Sequence, residues 1–156
     1  MKTAALSIAK RLRFLRSESG NALFELALGI GVLATVVIGS VEFGRIAYAS
    51  IEVNDAARAG ASYGAESRTY AADNANVTNA AKKDAPDVTN MTATATYWCK
   101  CADGSASTCG ATDCTSSRIL EYVTVNTTAG VKALFYVPGL PRSYTVTGNA
   151  VMRVEQ

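Results

Sequence analysis

The sequence contains no histidine, only three prolines, a single tryptophan and almost no net charge. Each shortage excludes something. Without histidine there is no imidazole for acid/base catalysis, no Ser-His triad and no His-ligated zinc. Lys+Arg is 15 and Asp+Glu is 13, a net charge of +2. That leaves no basic field of the kind duplex nucleic acid requires, so no nucleic-acid partner is expected. No proline occurs before Pro86, so nothing of that kind breaks a helix in the first half of the chain. The 156 residues suit one domain, or a smaller one with an anchor, and not two full domains. A hydrophobic share of 49% argues against a disordered chain.

What is present is charge segregation. Residues 1–20 carry Lys2, Lys10, Arg11, Arg13 and Arg16 against the single acid Glu18. Residues 26–41 carry no charge at all. As a helix, residues 22–41 span roughly 30 Å, the thickness of a hydrocarbon core. The basic residues lie on the N-terminal side. A cytoplasmic leader at 1–20 and an external C-terminal part are therefore expected, in the inner (cytoplasmic) membrane.

Three readings of this segment compete. A secretory signal peptide has the basic start and an Ala47-Tyr48-Ala49 cleavage pattern, but Glu42 and Arg45 intervene. A simple uncleaved anchor is the second. The third rests on spacing. Cleavage after Gly20 would begin the mature chain at Asn21 and make Glu25 its fifth residue, the prepilin arrangement. Glu25 needs an account, because a carboxylate at the hydrocarbon edge is costly without a partner. It is either an interfacial acid helped by the positive end of the helix dipole, or the partner of a cation. Cleavage would supply that cation as the α-amine of Asn21, which in an assembly could belong to a neighbouring subunit.

Four motifs follow in order: Arg16-Ser17-Glu18-Ser19-Gly20; Ala22-Leu23-Phe24-Glu25-Leu26-Ala27-Leu28; Val41-Glu42-Phe43-Gly44-Arg45; and residues 54–61, NDAARAGA. Together they resemble the TadE-like family, the minor pilins or pseudopilins of tight-adherence (Flp-type) pilus systems. The closing residues 148–155 resemble the end of such proteins. Many members have a proline in the apolar helix, where this chain has Gly29 and Gly31. The resemblance implies processing at Gly20 and Asn21 by a prepilin peptidase. It also implies partnership with other pilins and an inner-membrane platform, and a part in building an adhesive pilus. The alternative is an uncleaved, membrane-anchored binding or adhesive domain. No enzyme activity, cofactor or small-molecule substrate is expected. Asp84, Asp87, Asp103, Asp113 and Glu121 show no spacing that converges on a site.

The first helix is expected over residues 21–66. Small residues recur at i,i+4 as Ala27, Gly31, Thr35 and Gly39, and again as Ala56, Gly60 and Gly64. Such stripes allow close helix–helix approach. Glu42 and Arg45, spaced i,i+3, are expected on a solvated juxtamembrane face, or against another subunit or platform protein. A second, alanine-rich helix is expected over 69–84, ended by Pro86.

From Thr89 the pattern turns to period two. Met91, Ala93, Ala95, Tyr97 and Cys99 share one strand face; Thr92, Thr94, Thr96, Trp98 and Lys100 share the other. Residues 118–128 and 143–154 complete an antiparallel sheet of three or four strands. The expected fold is α+β: a long N-terminal helix leading into a small external domain at 67–156.

All four cysteines fall between two strands. Outside the cytoplasm they are expected to form disulfides that staple the loop. Cys99 and Cys101 share a strand face, which disfavours a mutual bond. Two pairings remain. The nested one, Cys99 with Cys114 and Cys101 with Cys109, is preferred over Cys99 with Cys109 and Cys101 with Cys114. A zinc site is disfavoured because paired C-x2-C spacing is missing. Residues 131–140 are the most apolar external stretch. They are expected either to pack on the sheet or to form an exposed docking tip.

Overall fold

A computed structural model describes residues 19–135 and 139–155. Most of the leader, and residues 136–138 of the apolar stretch, therefore lie outside the described residues. In the proline-free part of the chain the first helix is α1 (Ser19–Ala65), unbroken over 47 residues. The chain divides into two compact units, Met1–Val41 and Glu42–Gln156. In the first, residues 20–41 are exposed throughout apart from the half-buried Gly39, and they include Leu23, Phe24, Leu26 and Leu28. Among the described residues, α1 is the one helix long and apolar enough to cross a membrane.

The second unit is an α+β domain. The expected helix over 69–84 is instead two helices, α2 (Arg68–Ala72) and α3 (Asn74–Asp84). Asp73 makes the break. Its backbone leaves the helical region at φ −92° and ψ 76°, and its carboxylate accepts the Asn76 N–H at 3.0 Å. A short acid that can bond the backbone locally favours a cap over a helix interior. Ser67 caps α2 in the same way, accepting the Tyr70 N–H at 3.2 Å. Pro86 disfavours helical backbone at Ala85, and α3 stops at Asp84.

Four strands follow: β1 (Thr92–Cys101), β2 (Ala106–Ser107), β3 (Ile119–Lys132) and β4 (Ser143–Arg153). They form one sheet in the order β2-β1-β3-β4, and each neighbouring pair is antiparallel. The expected alternation holds along β4, where Val146, Gly148 and Ala150 are buried and Thr145, Thr147 and Asn149 are exposed. β3 is longer than expected and takes in Val131, which is buried.

One face of the sheet is covered by helices. Ala57 and Ala61 of α1, Ala71 of α2, and Val77 and Ala81 of α3 meet Val123, Val125 and Ala150 of the strands. Ala49 and Val53 meet Ala129, Val131 and Val146 in a second cluster. A core built from alanine and valine requires close backbone approach. Gly148 provides it: a Cβ there would sit 2.5 Å from the Val53 carbonyl oxygen and 2.6 Å from Thr127 Oγ1. The buried Thr127 hydroxyl donates to that same Val53 oxygen at 2.6 Å, fastening α1 to the sheet.

Candidate functional site

The two small-residue stripes have different surroundings. Gly60 and Gly64 pack inside the domain. A Cβ on Gly60 would meet Ala81 Cβ at 2.9 Å, and one on Gly64 would meet Val77 and Val123 methyls at 3.1 Å. That stripe serves packing of α1 against α3 and the sheet, within a single chain. In the other stripe, Gly31 and Gly39 have nothing within 4 Å, and Ala27 and Thr35 are exposed. The Thr35 hydroxyl donates to the Gly31 carbonyl at 2.9 Å, and that of Ser40 to Val36 at 2.8 Å. Both hydroxyls are thus satisfied within the helix, as an apolar surrounding requires. Gly20, Asn21 and Glu25 lie on the same exposed length of helix.

Residues 20–62 match the family model of TadE-like proteins. The match covers the exposed stripe, Glu25, and the part of α1 that packs on the sheet. It agrees with the family the sequence motifs resemble and covers 43 of the 156 residues. No curated protein and no solved structure matches the chain significantly.

Below the TadE-like segment's apolar run, Glu42 and Arg45 pair at 3.7 Å. Arg45 also reaches the last residue of β3, and Glu42 the chain two residues beyond it. The Leu134 N–H donates to the Glu42 carboxylate at 3.2 Å, and Arg45 Nη1 donates to the Lys132 carbonyl at 3.5 Å. These two residues therefore tie strand to helix, a role their i,i+3 spacing does not reveal.

The four cysteines form two disulfides, but not in the nested pairing. Cys99 bonds Cys109, with Cα atoms 5.2 Å apart, and Cys101 bonds Cys114, at 5.6 Å. The register of the β1–β2 hairpin decides this. Nested rungs need Cys101 opposite Cys109. Instead Cys101 faces Ser105, whose carbonyl accepts the Cys101 N–H at 2.9 Å, and Cys99 faces Ser107. Two residues further, Cys109 reaches Cys99 diagonally. A turn at Gly110–Asp113 then sends Cys114 back to Cys101, with the Asp113 N–H donating to the Gly110 carbonyl at 3.0 Å. Asp103-Gly104 marks a turn here, with Gly104 at φ +94°, but the two-residue turn such a pair usually makes would set Cys101 opposite Ala106; the three-residue loop actually formed shifts the register by one.

Asp113 organises the loop. Its Oδ2 accepts from Thr108 N–H (2.6 Å), Thr108 Oγ1 (2.8 Å), Ser107 Oγ (3.0 Å) and Gly110 N–H (3.1 Å). These bonds, the Thr108 hydroxyl foremost, hold its carboxyl below the ordinary aspartate range. A depressed folded value means the stabilisation is complete above the unfolded aspartate range, about pH 4, and is lost as pH falls through the folded value. The Thr108 and Gly110 amide resonances are therefore expected to stay constant from neutral pH down to about pH 5 and to shift together only below about pH 4. In Asp113→Asn that acid step should be absent.

The remaining acids are dispersed. Glu121 is buried on β3 and pairs with Arg68 Nε at 2.8 Å. Burial, and then a hydrogen bond to Glu121, raise the Tyr97 hydroxyl above its usual value. Asp103 bonds its own turn through Ser105. Among the described residues no group of three or more His, Cys, Asp or Glu is placed to hold a metal ion. On the outer face of the sheet, Trp98 stacks on Tyr122 with ring centroids 4.7 Å apart and donates to Thr124 Oγ1 at 2.9 Å.

Proposed function

We propose that the chain is a minor pilin or pseudopilin of a tight-adherence pilus system, cut by a prepilin peptidase after Gly20. The TadE-like match over residues 20–62 carries this reading. The mature helix would be held in the inner membrane or enter the filament, with its domain displayed outside. Ala27, Gly31, Thr35 and Gly39 would form the packing face toward other pilins. Glu25 would neutralise the α-amine of Asn21 on a neighbouring subunit, removing two uncompensated charges from lipid at once. Glu42 and Arg45 would act at one remove, by holding the outer domain on the same helix. As a structural component the protein would prime, cap or decorate the pilus and contact its assembly platform.

The test is the intact mass and N-terminus of protein purified from native membranes. A chain beginning at Asn21 is the expected result, and one beginning at Met1 would leave the anchored binding domain as the better reading. A Glu25→Ala chain should then insert in the membrane normally and fail to support piliation.

A further inference from the structure

We propose that Leu134, Phe135 and Leu140, which flank the β3–β4 connection, sit in the bilayer interface beside the point where α1 emerges, as a second lipid contact for the outer domain. This rests on the membrane-anchor reading of residues 22–41, and not on the pilus reading. The uncharged run ends at Val41, and Glu42 is the first charged residue after it. The connection is fastened at that level. The Leu134 N–H donates to both Glu42 carboxylate oxygens, at 3.2 and 3.4 Å, and Lys132 accepts from Arg45 at 3.5 Å. Because Glu42 follows Val41 in the chain, whatever is bonded to Glu42 is held where the chain leaves the hydrocarbon.

The side chains beyond this tie suit such a place. Leu134, Phe135 and Leu140 are 56%, 48% and 58% exposed. Grouped large apolar side chains on one connection are unfavourable against water and favourable against the acyl boundary. The charges in residues 132–143 are Lys132 and Arg142, with no acid between them. Exposed apolar side chains next to a basic residue, Lys132, complement an interface with anionic headgroups. The partner this chemistry fits is an anionic lipid surface.

The single tryptophan makes the test direct. Trp98 pairs across to Tyr122, ten residues along β3 from Lys132, about 33 Å at ~3.3 Å per residue. The full chain would be reconstituted in phosphatidylethanolamine/phosphatidylglycerol vesicles whose acyl chains are brominated to quench indole. Trp98→Phe combined with Phe135→Trp should show blue-shifted emission and lose about half its intensity in these vesicles, as expected for burial of roughly 5–10 Å. Trp98→Phe with Leu140→Trp serves as a second reporter should the first disturb the connection. Wild-type Trp98 should be unquenched. Unquenched, solvent-like emission from both reporters would overturn the proposal, leaving the connection free for another subunit. Equal quenching of Trp98 would overturn it as well, since the whole domain would then lie along the bilayer. Carbonate-resistant flotation of the protein with the vesicles checks helix insertion separately, so failure of the anchor reading is distinguishable.

Discussion

Gly148→Ala is expected to destabilise the outer domain by about 3 kcal/mol, through overpacking and a disturbed buried hydrogen bond. The added methyl would lie 2.5 Å from the Val53 carbonyl oxygen, 2.6 Å from Thr127 Oγ1 and 2.9 Å from Asn54 Cα. Two of these three atoms are backbone of α1, so no side chain can rotate away. The helix must lift from the sheet, and the Thr127 to Val53 hydrogen bond lengthens with it. For a domain of this size the loss corresponds to a fall in Tm of about 15 °C, read from near-ultraviolet circular dichroism of the full chain in detergent. Two companions separate sterics from hydrogen bonding. Thr127→Val keeps the shape and should cost about 1 kcal/mol. Gly130→Ala lies in open space on the adjacent strand and should stay within about 0.5 kcal/mol of wild type. Equal stability of the Gly148→Ala and Gly130→Ala chains would refute the close-approach account.

Gly148 also shows what the sequence could disclose and what it could not. The alternation from Tyr144 to Val154 marks Gly148 as inward-facing, because side-chain direction in a strand has period two. It does not say what lies opposite, since Val53 is a distant residue brought there by the fold. The same holds for Glu121. Its place on the inner face of β3 is readable, but its partner Arg68 is set by where α2 lands on the sheet. The stripe Ala56, Gly60 and Gly64 is readable as a close-packing face, yet nothing local tells that its occupant is this chain's own α3. Its N-terminal counterpart, Ala27 to Gly39, is likewise built of small residues and is exposed apart from the half-buried Gly39. The break at Asp73 was legible in principle, since an acid followed three residues later by a backbone donor is a cap. An alanine-rich surround favoured one continuous helix and hid it. Glu42 and Arg45 read as an ordinary i,i+3 pair because the atoms they hold, on Leu134 and Lys132, are about ninety residues away.

The disulfide pairing is the second large effect, and it can be read chemically. Trypsin cuts after Lys100 and Arg118, and a protease cleaving before aspartate cuts ahead of Asp103 and Asp113. Without reduction, the fragment ending at Lys100, which holds Cys99, should travel with residues 103–112, which hold Cys109. The dipeptide Cys101-Ala102 should travel with residues 113–118, which hold Cys114. The nested pairing would give the opposite partners, so the two arrangements have different masses. Each bridge closes a short loop, over sequence separations of 10 and 13. Loop-closure entropy assigns each about 3 kcal/mol and separates them by only a few tenths. Location should separate them further. Cys101 is fully buried at the hairpin, whereas Cys109 and Cys114 lie in the loop that Asp113 already holds with four hydrogen bonds. Cys99 is buried too, so each double variant places one hydroxyl in a buried position, but Cys101→Ser with Cys114→Ser does so at the more buried site and also frees the return of the loop, and it should cost more than Cys99→Ser with Cys109→Ser. In the second variant the Asp113 bonds should persist, and the Thr108 and Gly110 amides should keep their acid transition. If both double variants lost that transition equally, the loop would depend on its bridges alone and Asp113 would have no independent part in it.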